Sequence, residues 1–189
     1  MQKNDRKTIT KLVMTAMLAA LATVLMLVVR FSLLPSAKFL EYDMGDIPVI
    51  LSSLLLGTPS SFFVLIFVSV IQSITVSAAS SWQGLIMHVL STGCYVLVFK
   101  LITKNNSSVK YMILASCTAT VALTAIMIPL NLIFTPLYLN TTVEAVMSML
   151  LPAIIPFNFI KGALNSFLIV LIYKPVKEIL KKTNLLSDK

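Results

Sequence analysis

Lys161 is the residue whose setting demands the most explanation. It lies inside the apolar run Ala145–Tyr173, with Asn158 three residues before it and Asn165 four residues after it. That spacing puts all three on one helical face. Asn131, in Ile-Pro-Leu-Asn, sits near the far end of the preceding apolar run. An ammonium donates three hydrogen bonds, and each amide both donates and accepts. Such a set suits a small polar solute. Upstream, Glu41, Tyr42, Asp43 and Asp46 form an acidic segment with an aromatic member.

The same residues give no support to catalysis. The sequence holds no HExxH, no GxSxG and no carboxylate pair within an apolar run. His88 is the single histidine, and Cys94 and Cys117 make no CxxC, so no metal-ligand cluster is expected. These three residues read as packed within helices. No nucleotide-binding loop is present, so an activity driven by ATP would need separate ATPase partners. An ion channel needs a polar path through to the opposite side, and no such path is written here.

The elements that position these residues follow from composition. The 189 residues are 58% hydrophobic and only 12% charged, with a mean hydropathy of +0.94. Soluble domains carry about 25% charged residues. The solvent is therefore largely lipid, which excludes a soluble enzyme and a disordered chain. The net charge of +8 reads as basic residues collected at cytoplasmic helix ends. No basic stripe interleaved with aromatics appears, so no nucleic-acid partner is expected.

The first apolar run, Leu12 to Val29, approaches the ~20 residues of a spanning helix. It is too long for a signal-peptide core and reads as a retained helix. A polar loop from Arg30 to Asp46 follows. Ile47 to Gly57 is short, spanning about 16 Å at ~1.5 Å per residue; it fits a short helix or half of a re-entrant hairpin. Phe62–Val76 bears Gln72, and Leu85–Leu101, Tyr111–Leu139 and Ala145–Tyr173 complete the runs. Pro152 and Pro156 lie in the first turns of the last run, where a missing N–H or a kink is tolerated.

Orientation follows the bias of basic residues in short loops. Lys3, Arg6, Lys7, Lys11, Lys100, Lys104, Lys110, Lys174, Lys177, Lys181, Lys182 and Lys189 fall inside, and Arg30 and Lys38 outside. The expected fold is an all-α integral membrane protein with six transmembrane helices and cytoplasmic N- and C-termini. Four crossings plus a hairpin fit the same bias. The chain reads as one membrane-embedded domain, 1–189, with a short cytoplasmic N-terminus (1–11) and C-terminus (174–189).

Lys161 then lies ~18 Å from Tyr173 at ~1.5 Å per residue, in the outer half of a core of about 30 Å. A charge at that depth faces a cavity or a partner and marks function. The alternative is that the amides join helices and Lys161 snorkels outward. Asn165 lies deeper and suits helix joining as well as ligand binding. Replacing Lys161 by Met should weaken ligand binding and leave folding intact, because it removes a buried charge. On the first helix, Ala16 and Ala20 form Ala-x-x-x-Ala, continued by Ala19 and Thr23. Small-xxx-small spacing lets helices approach closely, either within the chain or with a partner.

The segment Phe39-Leu-Glu-Tyr-Asp-Met-Gly-Asp-Ile-Pro-Val-Ile-Leu resembles the signature of riboflavin-specific S components of energy-coupling factor (ECF) vitamin transporters. The size, the basic N-terminus before Ala-x-x-x-Ala and the Asn-x-x-Lys of the last helix are similar too. The resemblance implies six helices in a bacterial plasma membrane and high-affinity capture of riboflavin as the transported ligand, with no cofactor. It also implies docking of a transmembrane T component on an inner face at Ala16 and Ala20, and two cytoplasmic ATPases. By the same resemblance Leu40, Tyr42, Asp43, Met44 and Gly45 cap the pocket, while Asn131, Asn158, Lys161 and Asn165 bond the ligand. Another vitamin, biotin or thiamine, is the alternative within the class; a carboxylated one would use Lys161 as counter-ion. A ligand-free membrane scaffold is the alternative outside it.

Overall fold

Long, predominantly apolar runs satisfy their backbone groups within themselves, as lipid requires, and the chain is accordingly helical. The computed structural model describes residues 3–35, 37–104, 106 and 108–183. In chain order these form α1 (Lys3–Val28), β1 (Arg30–Ser32), β2 (Glu41–Asp43), α2 (Asp46–Leu55), α3 (Thr58–Ile74), α4 (Ser81–Thr103), α5 (Val109–Leu139), α6 (Val143–Met149), a π-helical turn (Leu150–Ile154) and α7 (Ile155–Lys182). Lys189, assigned to the inner side, lies outside the described residues.

Among the described residues, four segments are long and apolar enough to cross a membrane: Asp5–Val28, Ser81–Thr103, Val109–Leu139 and Val143–Lys182. Helices α2 and α3 are shorter and apolar. The α2 segment is a true helix of 10 residues, about 15 Å long. Leu56 and Gly57 both donate their backbone N–H to Ser52 O, Gly57 sits at φ +100°, and Thr58-Pro59 starts α3 at once. Proline suits the first turn because its missing N–H would find no helical partner there. Ser61 Oγ donates to Val49 O at 2.7 Å, which fastens α3 to α2 across the turn.

Two expectations change. The Arg30–Asp46 loop contains a two-stranded antiparallel ribbon, with Arg30 opposite Asp43, Phe31 opposite Tyr42 and Ser32 opposite Glu41. The Phe31 and Tyr42 rings meet across it, 5.4 Å between centroids. Strands this short leave almost no alternating pattern to read. The last apolar run is also not one helix from its start. It divides at the π turn that holds Pro152, and α7 begins with Pro156 in its first turn. Each proline lacks the N–H that would continue an i→i−4 ladder. Asn158 Nδ2 donates to Ile154 O at 2.8 Å at the junction of the two helical segments.

The main core lies between α1, α2, α3, α4, α5 and α7, around Met26, Ile50, Leu65, Tyr95, Phe99, Met112 and Ile169. A smaller cluster joins the ribbon to the α6–α7 region through Ala37, Leu40, Tyr42, Val146, Ile154 and Phe157. Large apolar side chains such as Leu12, Met17, Leu101, Leu151 and Phe167 point outward. A belt of that kind belongs against lipid. The ribbon stands at the same end of the bundle as the C-terminus of α3, the N-terminus of α4, the C-terminus of α5 and the start of α7, and that end carries the site.

Candidate functional site

Asp46 is the first residue of α2 and is 1% exposed. A carboxylate is favoured at a helix N-terminus, but buried it needs partners for both oxygens. It has them. Oδ1 lies 2.8 Å from His88 Nε2 and accepts from Thr92 Oγ1 at 3.0 Å. Oδ2 lies 3.0 Å from Lys161 Nζ and accepts from Asn165 Nδ2 at 3.2 Å. Thus α4 and α7 each supply two donors to one carboxylate.

The network extends on both sides. Tyr42 donates its hydroxyl to Asn165 Oδ1 at 3.1 Å. Burial first, then the charge of Asp46, pushes the Tyr42 phenol up to about 12, so this donor keeps its proton at physiological pH. His88 Nδ1 lies 2.9 Å from Ser69 Oγ on α3. Asp43 accepts from the Gly45 backbone N–H at 2.9 Å and from Gln72 Nε2 at 3.2 Å.

Beside this network a cleft opens at the ribbon end of the bundle. Phe39, Leu40, Leu123, Met127 and Phe157 give it apolar walls; Asp43, Gln72, His88, Asn131, Asn158 and Lys161 give it polar ones. Several serines add to the polar side, and a concave site with convergent polar groups beside apolar walls is a candidate small-molecule site. Beyond it the core is apolar, through Val64, Leu65, Val68, Val96 and Phe99. Among the described residues no group of three or more His, Cys, Asp or Glu could hold a metal ion.

The residues singled out from sequence divide accordingly. Leu40, Asp43, Asn131, Asn158 and Lys161 share the cleft wall. Asn131 Nδ2 donates to Met127 O and its Oδ1 accepts from Thr135 Oγ1, both at 2.8 Å. Tyr42 and Asn165 lie behind the wall in the Asp46 network. Met44 packs against both apolar clusters. Gly45 faces α1: a Cβ there would stand 3.0 Å from Met26 Cβ and 2.9 Å from Asp43 Oδ1. On α1, Ala16 and Ala20 are exposed, whereas Ala19 and Ala22 are buried in the core at 3% and 0%. The small-residue stripe therefore serves two faces.

Lys161 faces a cavity and a partner: it borders the cleft and is ion-paired with Asp46. One reading changes here. His88 does more than pack within a helix, since it bonds both Asp46 and Ser69 and borders the cleft. Asp46 and Gln72 were not singled out as site residues. The signal for Asp46 was available: a carboxylate directly before a short apolar helix, in a chain with one lysine at membrane depth. Arg30, on the ribbon, pairs with Glu41 and donates to Ser77 Oγ at 3.3 Å.

Comparison with known proteins places these features in context. Residues 10–173 match the family described as ECF transporter, substrate-specific component. The chain is 32% identical over 180 residues to the riboflavin transporter RibU of Streptococcus thermophilus, which spans 91% of this chain and 85% of that protein. It is 32% identical over 131 residues to the riboflavin transporter RibU of Lactococcus lactis subsp. cremoris, spanning 68% and 64%. Its fold is similar to a solved structure described as the S component of a bacterial ECF transporter, with a TM-score of 0.77 and 27% identity over 95% of this chain and 99% of that one.

Proposed function

The chain belongs to the substrate-specific components of ECF transporters, and we propose that it captures riboflavin with high affinity for uptake across a bacterial plasma membrane. The observation that carries this reading is the cleft at the ribbon end, where Asn131, Asn158 and Lys161 stand beside the walls of Phe39, Leu40, Met127 and Phe157. Riboflavin is a flat aromatic ring system with carbonyl and N–H groups along one edge and a hydroxylated chain. Apolar walls take the ring faces, and amides match a mixed donor–acceptor edge. An ammonium has three N–H donors, so Lys161 keeps two for the ligand while the third serves Asp46. Named riboflavin transporters among the relatives support the choice of ligand.

In this reading the chain is a transporter subunit with six membrane segments, α1 to α5 and the α6–α7 unit, and both termini are cytoplasmic. The ribbon and the cleft then face outward. The exposed Ala16 and Ala20 face of α1 docks a transmembrane T component, and two ATPases supply the energy. A carboxylated vitamin fits less well, because the lysine that would be its counter-ion is already paired with Asp46.

Fluorescence quenching of riboflavin by the purified, monodisperse protein tests the reading. Stoichiometric quenching supports it. A folded, colourless preparation that leaves riboflavin fluorescence unchanged overturns it.

A further inference from the structure

The basic side chains at the cleft already answer to carboxylates of the same chain. Lys161 and His88 border it, and both reach Asp46, at 3.0 and 2.8 Å. Arg30, on the adjoining ribbon, is bound to Glu41. Asp43 borders the cleft as well and receives neutral N–H donors from Gly45 and Gln72. The surroundings therefore offer a ligand hydrogen bonds in abundance, and the one lysine in the cleft wall has already met a carboxylate; Lys38 stands exposed in the loop just before Phe39.

We propose that Asp46 is a positioning and specificity-determining residue: it neutralises Lys161 and orients it together with Asn165, so that the cleft favours an uncharged flavin over an anionic one. The inference rests on the riboflavin reading and adds the charge class of the ligand to it. The physical basis is the low local dielectric, in which an unpaired ammonium would draw an anion strongly. Discrimination arises from a feature unfavourable to the competitor as much as from contacts favourable to the ligand. Asp46 supplies that feature while lying behind the wall, touching Lys161 and His88 from the protein side.

The test compares riboflavin with riboflavin 5′-phosphate by fluorescence quenching on the full chain. The parent should prefer riboflavin. Asp46→Asn should shrink that preference by at least about tenfold, chiefly through tighter binding of the phosphate ester, and Asp46→Glu should retain it. A purely structural Asp46 would lower both affinities by the same factor, and an unchanged ratio in Asp46→Asn overturns the proposal. If that variant does not fold, Lys161→Met and Lys161→Met/Asp46→Asn decide: with the ammonium gone the unpaired Asp46 should raise the preference about tenfold above the parent's, the neutral double variant should return it to the parent's, and equal ratios in all three overturn the proposal. A folded parent that binds neither flavin removes the riboflavin reading itself, and this proposal with it. A parent that binds riboflavin while the ratios stay constant removes this proposal alone.

Discussion

Tyr42 and Asn165 stand 123 residues apart in the chain and meet in one hydrogen bond, the phenol donating to the amide oxygen at 3.1 Å. That bond ties the outer ribbon to α7, and the other end of the same amide reaches Asp46. The ribbon is thus held against the site by a buried polar contact as well as by the apolar cluster around Leu40 and Phe157.

Tyr42→Phe should therefore destabilise the protein by about 1–3 kcal/mol, the cost of leaving a buried acceptor unpaired. It should also alter the alkaline limb. The unfolded phenol ionises near 10 and the folded one near 12, so the parent loses stability as pH rises through that window. Thermal unfolding in detergent between pH 9 and 12 should show a shallower decline for Tyr42→Phe than for the parent. Parallel curves would mean that the phenol contributes nothing to the alkaline loss.

Helices α5 and α7 touch closely at Gly162, where a Cβ would stand 2.7 Å from Thr120 Cγ2 and 2.9 Å from its Oγ1. Gly162→Ala should lower stability by about 1–3 kcal/mol through overpacking. Adding Thr120→Ala removes both obstructing atoms and should recover most of the loss, as read from melting temperatures of the single and double variants.

Lys161→Met has a different consequence from the one its sequence context suggests. Removing one partner of a buried ion pair leaves the other uncompensated, at a cost of about 3–5 kcal/mol. The lower end applies, because His88, Thr92 and Asn165 still reach Asp46. The double variant Lys161→Met/Asp46→Asn should be more stable than Lys161→Met alone. Riboflavin binding by the single variant should weaken by roughly 1.5–3 kcal/mol, the range for a hydrogen bond to a charged group. Calorimetry and quenching on the same preparations check both.

The two faces of α1 should respond differently to bulk. Ala16→Leu/Ala20→Leu enlarges an exposed face and should leave riboflavin binding intact while abolishing co-purification with the T component and uptake. Ala19→Leu enlarges a residue that is 3% exposed in the core and should instead reduce the yield of folded protein. If the paired substitution also abolished riboflavin binding, the exposed face would have an internal role.

The membrane class, the helical runs and the grouping of Lys161 with Asn131 and Asn158, which share the cleft wall, were legible in the sequence, because hydropathy and helical spacing are local properties. A charge inside an apolar run is conspicuous without any knowledge of its neighbours. The identity of its partner is not local. Asp46 meets His88 across 42 positions and Asn165 across 119, and no periodicity links residues on different helices. Tertiary packing alone decided that Lys161 is neutralised, that His88 and Gln72 border the cleft, and that Ala19 is buried while Ala16 beside it is exposed. The physical reason is burial: a carboxylate withdrawn from water must gather its donors from whichever helices the fold brings within about 3 Å, and only the folded chain determines which those are.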